Sequence, residues 1–486
     1  MPFNATSVIR TGALYGPLDV QAWQMLHFSF TGRAETASTF GDAQHTFFYP
    51  SAGVAWQFTK LGPLAGSPWL AFGKLRFAYG VVGVQPGPYQ TRTYFPPADP
   101  AQIGETFDPT LDAVAYGGGF IQSGIRGNPD LKPERKTEWE TGLDLRLLNE
   151  RVQLSGTYYT NRTEDVILQV PLPATSGFRK TFDNAAKVAN KGWEFQLDAD
   201  VIKTSRLTWT ISPNWSENTN KVVDLKGAES VILLDVPGAS TRAVEGYPLG
   251  VFWGARRLRG EDGKLLLDAN GFPRLDPTEG VVGNPNPQWR AGLGTTFSYR
   301  KFTLYALFDH VHQMDVANGT KASLYFFGTH ADTGVETTVA AEDAATIRNF
   351  SGKNLSQLYP AGEDGSVTFR GRLEDFGAGP VALDQTWYQG LGGGFVGPLD
   401  QFVERVNVSR LREVSLSYTL NTPDFQKASK LQTVDFSITG RNLLLWTNYR
   451  GVDPETNVSG PSNARGADVS NNPGTRSLIF SIRIQY

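Results

Sequence analysis

"SLIFSIRIQY", residues 477–486, closes the chain. Counting back from Tyr486 in steps of two gives Ile484, Ile482, Phe480 and Leu478, an unbroken apolar set. The positions between them are Gln485, Arg483, Ser481, Ile479 and Ser477. Successive side chains on a strand point to opposite faces, so this stretch reads as a strand apolar on one face and mostly polar on the other. Such a strand fits a soluble sandwich. It also fits a bilayer-spanning sheet whose polar face turns to a water-filled interior.

The same alternation recurs upstream. In "LDLRLL" Leu143, Leu145 and Leu147 oppose Asp144 and Arg146, and after Asn149-Glu150 the run "VQLSGTYY" sets Val152, Leu154, Gly156 and Tyr158 against Gln153, Ser155 and Thr157. The short spacer predicts a hairpin. "WEFQLDADV" places Trp193, Phe195, Leu197, Ala199 and Val201 on one face. Leu293, Thr295, Phe297 and Tyr299 lead through Arg300-Lys301 to Phe302, Leu304, Ala306 and Phe308. "EVSLSYTL" and "VDFSITG" repeat the pattern with Val414, Leu416, Tyr418, Leu420 and then Val434, Phe436, Ile438. With "LHFSF", "AGVAWQF" and "KLRFAYG" the chain reads as roughly 12–14 strands joined alternately by short turns and long loops. The long connections, 85–130, 220–248, 258–288 and 316–402, are rich in Gly, Pro, Asp, Asn and aromatics. Aromatics at the ends of runs, Tyr158, Trp193, Tyr418, Trp446 and Tyr486, suit membrane interfaces.

Composition narrows the field. A net charge of −3 over 486 residues provides no basic footprint for nucleic acid. The chain has no cysteine, which excludes a disulfide framework, cysteine metal sites and a thiol nucleophile. Mean hydropathy is −0.29. No run approaches the ~18 apolar residues of a membrane helix, whereas barrel strands dilute their own hydropathy by alternating. Residues 1–16, "MPFNATSVIRTGALYG", show no basic start, apolar stretch or small-residue cleavage site, so no signal peptide is expected there.

Longer stretches carry a resemblance. "GNPDLKPERKTEWETGLDLRLLNERVQLSGTYYTNRTEDVIL" (127–168) resembles the hallmark segment of SusC/RagA-type TonB-dependent receptors. So, in order, do "FYPSAGVAWQF" (48–58), "LRFAYGVVG" (75–83), "NAAKVANKGWEFQLDADVI" (184–202), "VVGNPNPQWRAGLGTTFSYRKFTL" (281–304), "VSRLREVSLSYTL" (408–420) and "GRNLLLWTNYRGVDPETN" (440–457). In these motifs Pro129 and Pro133 hold the chain extended before a strand, Pro285 and Pro287 stiffen another approach, and Gly192 permits a sharp turn into Trp193. The terminal set Leu478, Phe480, Ile482, Ile484 and Tyr486 is similar to the signal that the barrel-assembly machinery recognises on outer-membrane barrels. The expected fold is thus all-β: a transmembrane antiparallel β-barrel with long extracellular loops. Residues 1–486 would supply the C-terminal portion of a barrel of about 22 strands, without plug domain or signal peptide. The resemblance implies location in the outer membrane lipid and uptake of oligosaccharides or peptides. It further implies a SusD-like surface lipoprotein as partner and a TonB complex acting through the plug. The residues leave open a soluble all-β carbohydrate-binding or glycoside-hydrolysing protein, and a non-functional gene fragment. Ile482→Arg separates these, because an arginine at the bilayer midplane costs ~2–4 kcal/mol.

Few residues suggest chemistry. The aromatics Tyr89, Tyr94 and Phe95 in one loop, and Tyr359, Trp387 and Tyr388 in another, could stack on sugar rings or peptide side chains. Their alternative role is to pack the loops. Asp268, Asn270 and Asp276 faintly suggest a calcium loop, but Phe272 stands at a ligand position and turn chemistry accounts for the same residues. No other metal or cofactor is expected. His310 and His312 share one strand face without a third ligand and read as interface residues. Glu413 and Asp435 read as charges on polar strand faces rather than a glycosidase pair. "AYGGGF" (115–120) and "GLGGGF" (390–395) lack the Lys-Ser/Thr of a phosphate loop and read as plain loops. No catalytic residue is expected.

Overall fold

The alternating runs form strands whose side chains divide by polarity between two faces. A computed structural model describes residues 8–41, 46–95, 120–236, 238–460 and 462–486. The "AYGGGF" run falls outside these except for Phe120. The described residues include thirteen strands of nine residues or more. The chain divides into two units, each described separately. One comprises Met1–Ala199, Asn218–Val231 and Val244–Tyr247; the other comprises Asp200–Glu217, Ile232–Ala243 and Pro248–Tyr486.

The first unit is a meander of β1 (Thr11–Ala22), β2 (Leu26–Ala37), β3 (Phe47–Trp56), β4 (Leu70–Val84), β5 (Glu134–Leu147), β6 (Val152–Pro171) and β7 (Lys180–Lys203). Each pairs antiparallel with the next. The β1–β2 and β5–β6 turns use left-handed backbone at Trp23 and Gln24 and at Leu148, Asn149 and Glu150. One row of cross-strand neighbours runs Val20, Phe28, Val54, Phe77, Thr141, Tyr158, Trp193. Val20, Phe77 and Trp193 in that row are exposed. On the opposite face Asp144 meets Lys74 at 2.8 Å and Arg76 at 3.1 Å. It also accepts a hydrogen bond from Ser155 Oγ at 2.7 Å. Gly142 makes this possible, since a Cβ there would lie 2.5 Å from the Arg76 Cζ.

The second unit is built from β8 (Leu207–Asp224), β9 (Trp289–Tyr299), β10 (Phe302–Asn318), β11 (Val403–Leu420), β12 (Thr433–Thr447) and β13 (Ser477–Gln485). These too pair antiparallel in order. A row of cross-strand neighbours runs Trp209, Phe297, Leu304, Leu416, Ile438, Phe480. All six are exposed. A soluble sandwich would bury such a row against a second sheet. Here the buried clusters lie in the connections and at the strand ends they cover.

Two features depart from the pattern read in the sequence. β1 is a strand despite Gly12, Gly16 and Pro17, which break the alternation. It pairs only with β2 among the described strands, and a strand edge tolerates proline. Gly192 makes no sharp turn; β7 passes straight through it from Lys180, with Gly192 opposite Tyr159. The proline motifs behave as expected, with β5 starting at Glu134 just after Pro133 and β9 starting at Trp289 two residues after Pro287.

Candidate functional site

The β10–β11 connection is a folded body rather than a bare loop. Asn318 caps helix α1 (Gly319–Phe326) by accepting from the Lys321 N–H. Small two-stranded ribbons, Glu336–Val339 with Val367–Arg370 and Arg372–Asp375 with Pro380–Leu383, follow. Their cores hold two of the aromatics singled out above. Trp387 is 6% and Tyr388 4% exposed. Trp387 packs on Phe272 and Phe350, and Tyr388 on Tyr325. With their faces covered they are packing residues here, not solvent-facing platforms. Tyr359 stacks near Phe369 and donates to Asp384 at 3.3 Å. Burial first, then the Asp384 charge and hydrogen bond, push the Tyr359 phenol up to about 12. Asp384 is buried and also accepts from Asn349 Nδ2 at 2.8 Å. Tyr89, Tyr94 and Phe95 of the other unit are, in contrast, exposed.

Asp268 and Asp276 are engaged by the local backbone. Asp268 accepts from the N–H groups of Asn270 and Phe272, each at 2.9 Å. Asp276 accepts from Thr278 N and Oγ1 and pairs with Arg256 at 2.8 Å. These are the bonds that the turn reading of this stretch calls for. His312 stacks on Trp289 with ring centroids 4.7 Å apart, and His310 lies tilted against the same ring at 5.0 Å. His310 Nδ1 lies 2.8 Å from Ser409 Oγ. Glu413 and Asp435 have separate partners, Arg441 at 3.0 Å and Thr419 at 2.6 Å.

The polar face of the second unit holds a network that no single motif announced. β11 carries a bulge: Glu413 pairs with Leu307 and Leu411 with Phe308, leaving Arg412 without an opposite residue on β10. The inserted residue lets Arg410, Arg412 and Glu413 share the polar face while Leu411 and Val414 stay on the apolar one. Arg410 pairs with Asp453 at 2.7 Å and Glu455 at 3.1 Å; Arg412 pairs with Glu455 at 2.5 Å and with Asp309. Asp453 and Glu455 belong to the β12–β13 connection, which is thereby drawn onto the strands. Its other anchors are Tyr449, donating to Asp468 at 2.7 Å, and Asp468, accepting from Thr320 Oγ1 at 3.0 Å. Burial and the Asp468 carboxylate hold the Tyr449 phenol far above its ordinary range. The terminal strand β13 is exposed along its length, with Leu478, Phe480, Ile482 and Ile484 on one face and Tyr486 just beyond.

Residues 2–352 match the family described as "TonB dependent receptor-like, beta-barrel". TonB-dependent receptor P3 of Formosa agariphila is 25% identical, over 99% of this chain and 46% of that protein. TonB-dependent receptor SusC of Bacteroides thetaiotaomicron is 23% identical, over 97% of this chain and 43% of its own length. The solved RagAB peptide transporter superposes with a TM-score of 0.69 at 19% identity, over 98% of this chain and 48% of that one. The chain thus spans less than half the length of these relatives.

Proposed function

The chain belongs to the TonB-dependent receptor-like β-barrel family, and from that premise we propose that it forms the C-terminal barrel portion of a nutrient importer. Its place is the outer membrane. The solute is an oligosaccharide or a peptide. A plug domain and further strands complete the receptor, a SusD-like surface lipoprotein covers the long connections, and an inner-membrane TonB complex supplies energy through the plug. The barrel makes and breaks no covalent bonds; its relatives are named as receptors and transporters, not enzymes. The exposed aromatics Tyr89, Tyr94 and Phe95 are its solute contacts. Leu478, Phe480, Ile482, Ile484 and Tyr486 are the strand that the barrel-assembly machinery engages.

One observation carries this reading. Across six neighbouring strands the apolar row stays exposed, while the opposite face carries ion pairs. Lipid on one side and water on the other satisfies both. Ile482 lies inside β13 and neighbours Phe436 on β12. Ile482→Arg should cost ~2–4 kcal/mol where that face meets the bilayer interior. The expected result is loss of the receptor from the outer-membrane fraction of cells expressing the variant. A variant recovered there at the wild-type level would overturn the lipid-facing assignment.

A further inference from the structure

The polar face of the second unit bears a cleft of about 910 Å³ beside the arginine–carboxylate network. It is lined by Arg290 of β9 and by Glu455, Asn457, Asn463, Arg465 and Asn471 of the β12–β13 connection. Its lining contains no aromatic or aliphatic side chain. Glu455 is the only carboxylate in that lining, and its two oxygens are taken by Arg410 and Arg412. The side chains of Arg290 and Arg465, in contrast, enter no ion pair or hydrogen bond among the described residues. Arg465 is half-buried, and burial together with the Arg290 charge holds its guanidinium below the ordinary arginine range. Like charges held close in a partly desolvated cleft repel unless an anion lies between them. The lining adds a second signal: beside the two arginines it carries Asn457, Asn463, Asn471 and Asn472, amides that both donate and accept hydrogen bonds.

We propose that this cleft is an oxyanion subsite for an acidic sugar, a carboxylate or sulfate group lying between Arg290 and Arg465 and hydroxyl groups meeting the asparagines. A guanidinium presents a planar fork of N–H donors that matches the paired oxygens of either anion. The asparagine amides and the Thr456 and Ser462 hydroxyls of the lining can meet sugar hydroxyls, while the absence of apolar lining disfavours peptide side chains. The neighbouring network sets three carboxylates, Asp309, Asp453 and Glu455, against two arginines. Its own arginines are thereby occupied, and Arg290 and Arg465 are the guanidinium groups left to meet the ligand. The subsite rests on the import reading above and narrows the solute to an anionic one.

The test uses the receptor at its natural full length, purified from outer membranes in detergent at low salt. Equilibrium dialysis is run with D-glucuronate and with D-glucose, sodium sulfate serving as competitor. Saturable glucuronate binding is expected, displaced by sulfate and exceeding any glucose binding. Arg290→Gln and Arg465→Gln should each weaken it roughly ten- to hundred-fold, the range for losing one charge-assisted contact. Recovery of both variants from the outer membrane shows that they fold. Equal binding of glucose and glucuronate, or unchanged glucuronate binding by the double variant, overturns the subsite. A wild type that binds no glucuronate, with a double variant that gains protease-sensitive sites, would assign the pair to a carboxylate of the receptor itself, and the proposal falls. A receptor that is found in the outer membrane yet binds no glucuronate sinks the subsite alone; absence from that membrane sinks the import reading.

Discussion

Tyr359 illustrates what a single residue's neighbours decide. The sequence marks it only as one more aromatic in a glycine-rich connection. In the structure its hydroxyl donates to Asp384, a carboxylate 2% exposed that also binds Asn349 and Thr386. Burial and the Asp384 carboxylate push the phenol up to about 12 in the fold, from its ordinary value of 10.0. Its contribution to the closed connection is therefore whole below pH 10 or so. It declines as pH rises towards 12, because the opened form gives up its proton first. Protection factors of residues 345–390, which are taken relative to the intrinsic base-catalysed exchange rate, should fall across that window, and Tyr359→Phe should remove the pH step while lowering protection at neutral pH. A step that survives in Tyr359→Phe would place the titration elsewhere. Trp387 and Tyr388 make the complementary point. An aromatic that packs a connection and one that meets a solute have the same composition signature, and only burial separates them.

At the scale of elements, the strands were legible because alternation is local. Each run from Leu143 to Ile484 carries its own two-residue period, and the structure preserves those faces. β1 was not legible, because its glycines and proline erase the period. The short helices and ribbons between residues 319 and 402 were illegible too, because segments of four to eight residues are too short to show a period. Arg410 and Arg412 lie in a readable strand, but their partners Asp453 and Glu455 are some 43 residues away, and nothing in the sequence pairs them. The network makes a firm expectation. Arg410 is 6% exposed at its side chain, so Asp453→Ala strands much of a buried charge. Removing one partner of a buried pair costs ~3–5 kcal/mol, and the surviving Glu455 contact sets this case near 3. The β12–β13 connection should then become cleavable by added protease under conditions where the wild type resists. Unchanged resistance would mean that Tyr449, Asp468 and Thr320 pin the connection by themselves.

At the scale of the whole molecule, the family was legible because its motifs recur in fixed order along the strands. What they leave unread is the solute, which depends on side chains brought together from separate connections. The membrane itself can be read from one strand. β9 runs eleven residues from Trp289 to Tyr299, and ~9–11 tilted residues cross a bilayer. Trp289 packs against two histidines at one end, and Tyr299 stands beside Phe302 and Arg300 at the other. Amphipathic rings at both ends are what two lipid–water interfaces select. Leu293 lies between them on the same face and is 40% exposed, close to the 45% of Tyr299. In water two such similar positions would tolerate arginine alike. In a bilayer the cost depends on depth, ~2–4 kcal/mol near the midplane and ~0–1 near an interface. Leu293→Arg should therefore abolish assembly into vesicles, measured by the heat-dependent shift in gel mobility of the folded barrel, while Tyr299→Arg leaves most of it intact. Equal assembly of the two variants would mean that β9 meets no depth-graded solvent, and the girdle assignment would fail with it.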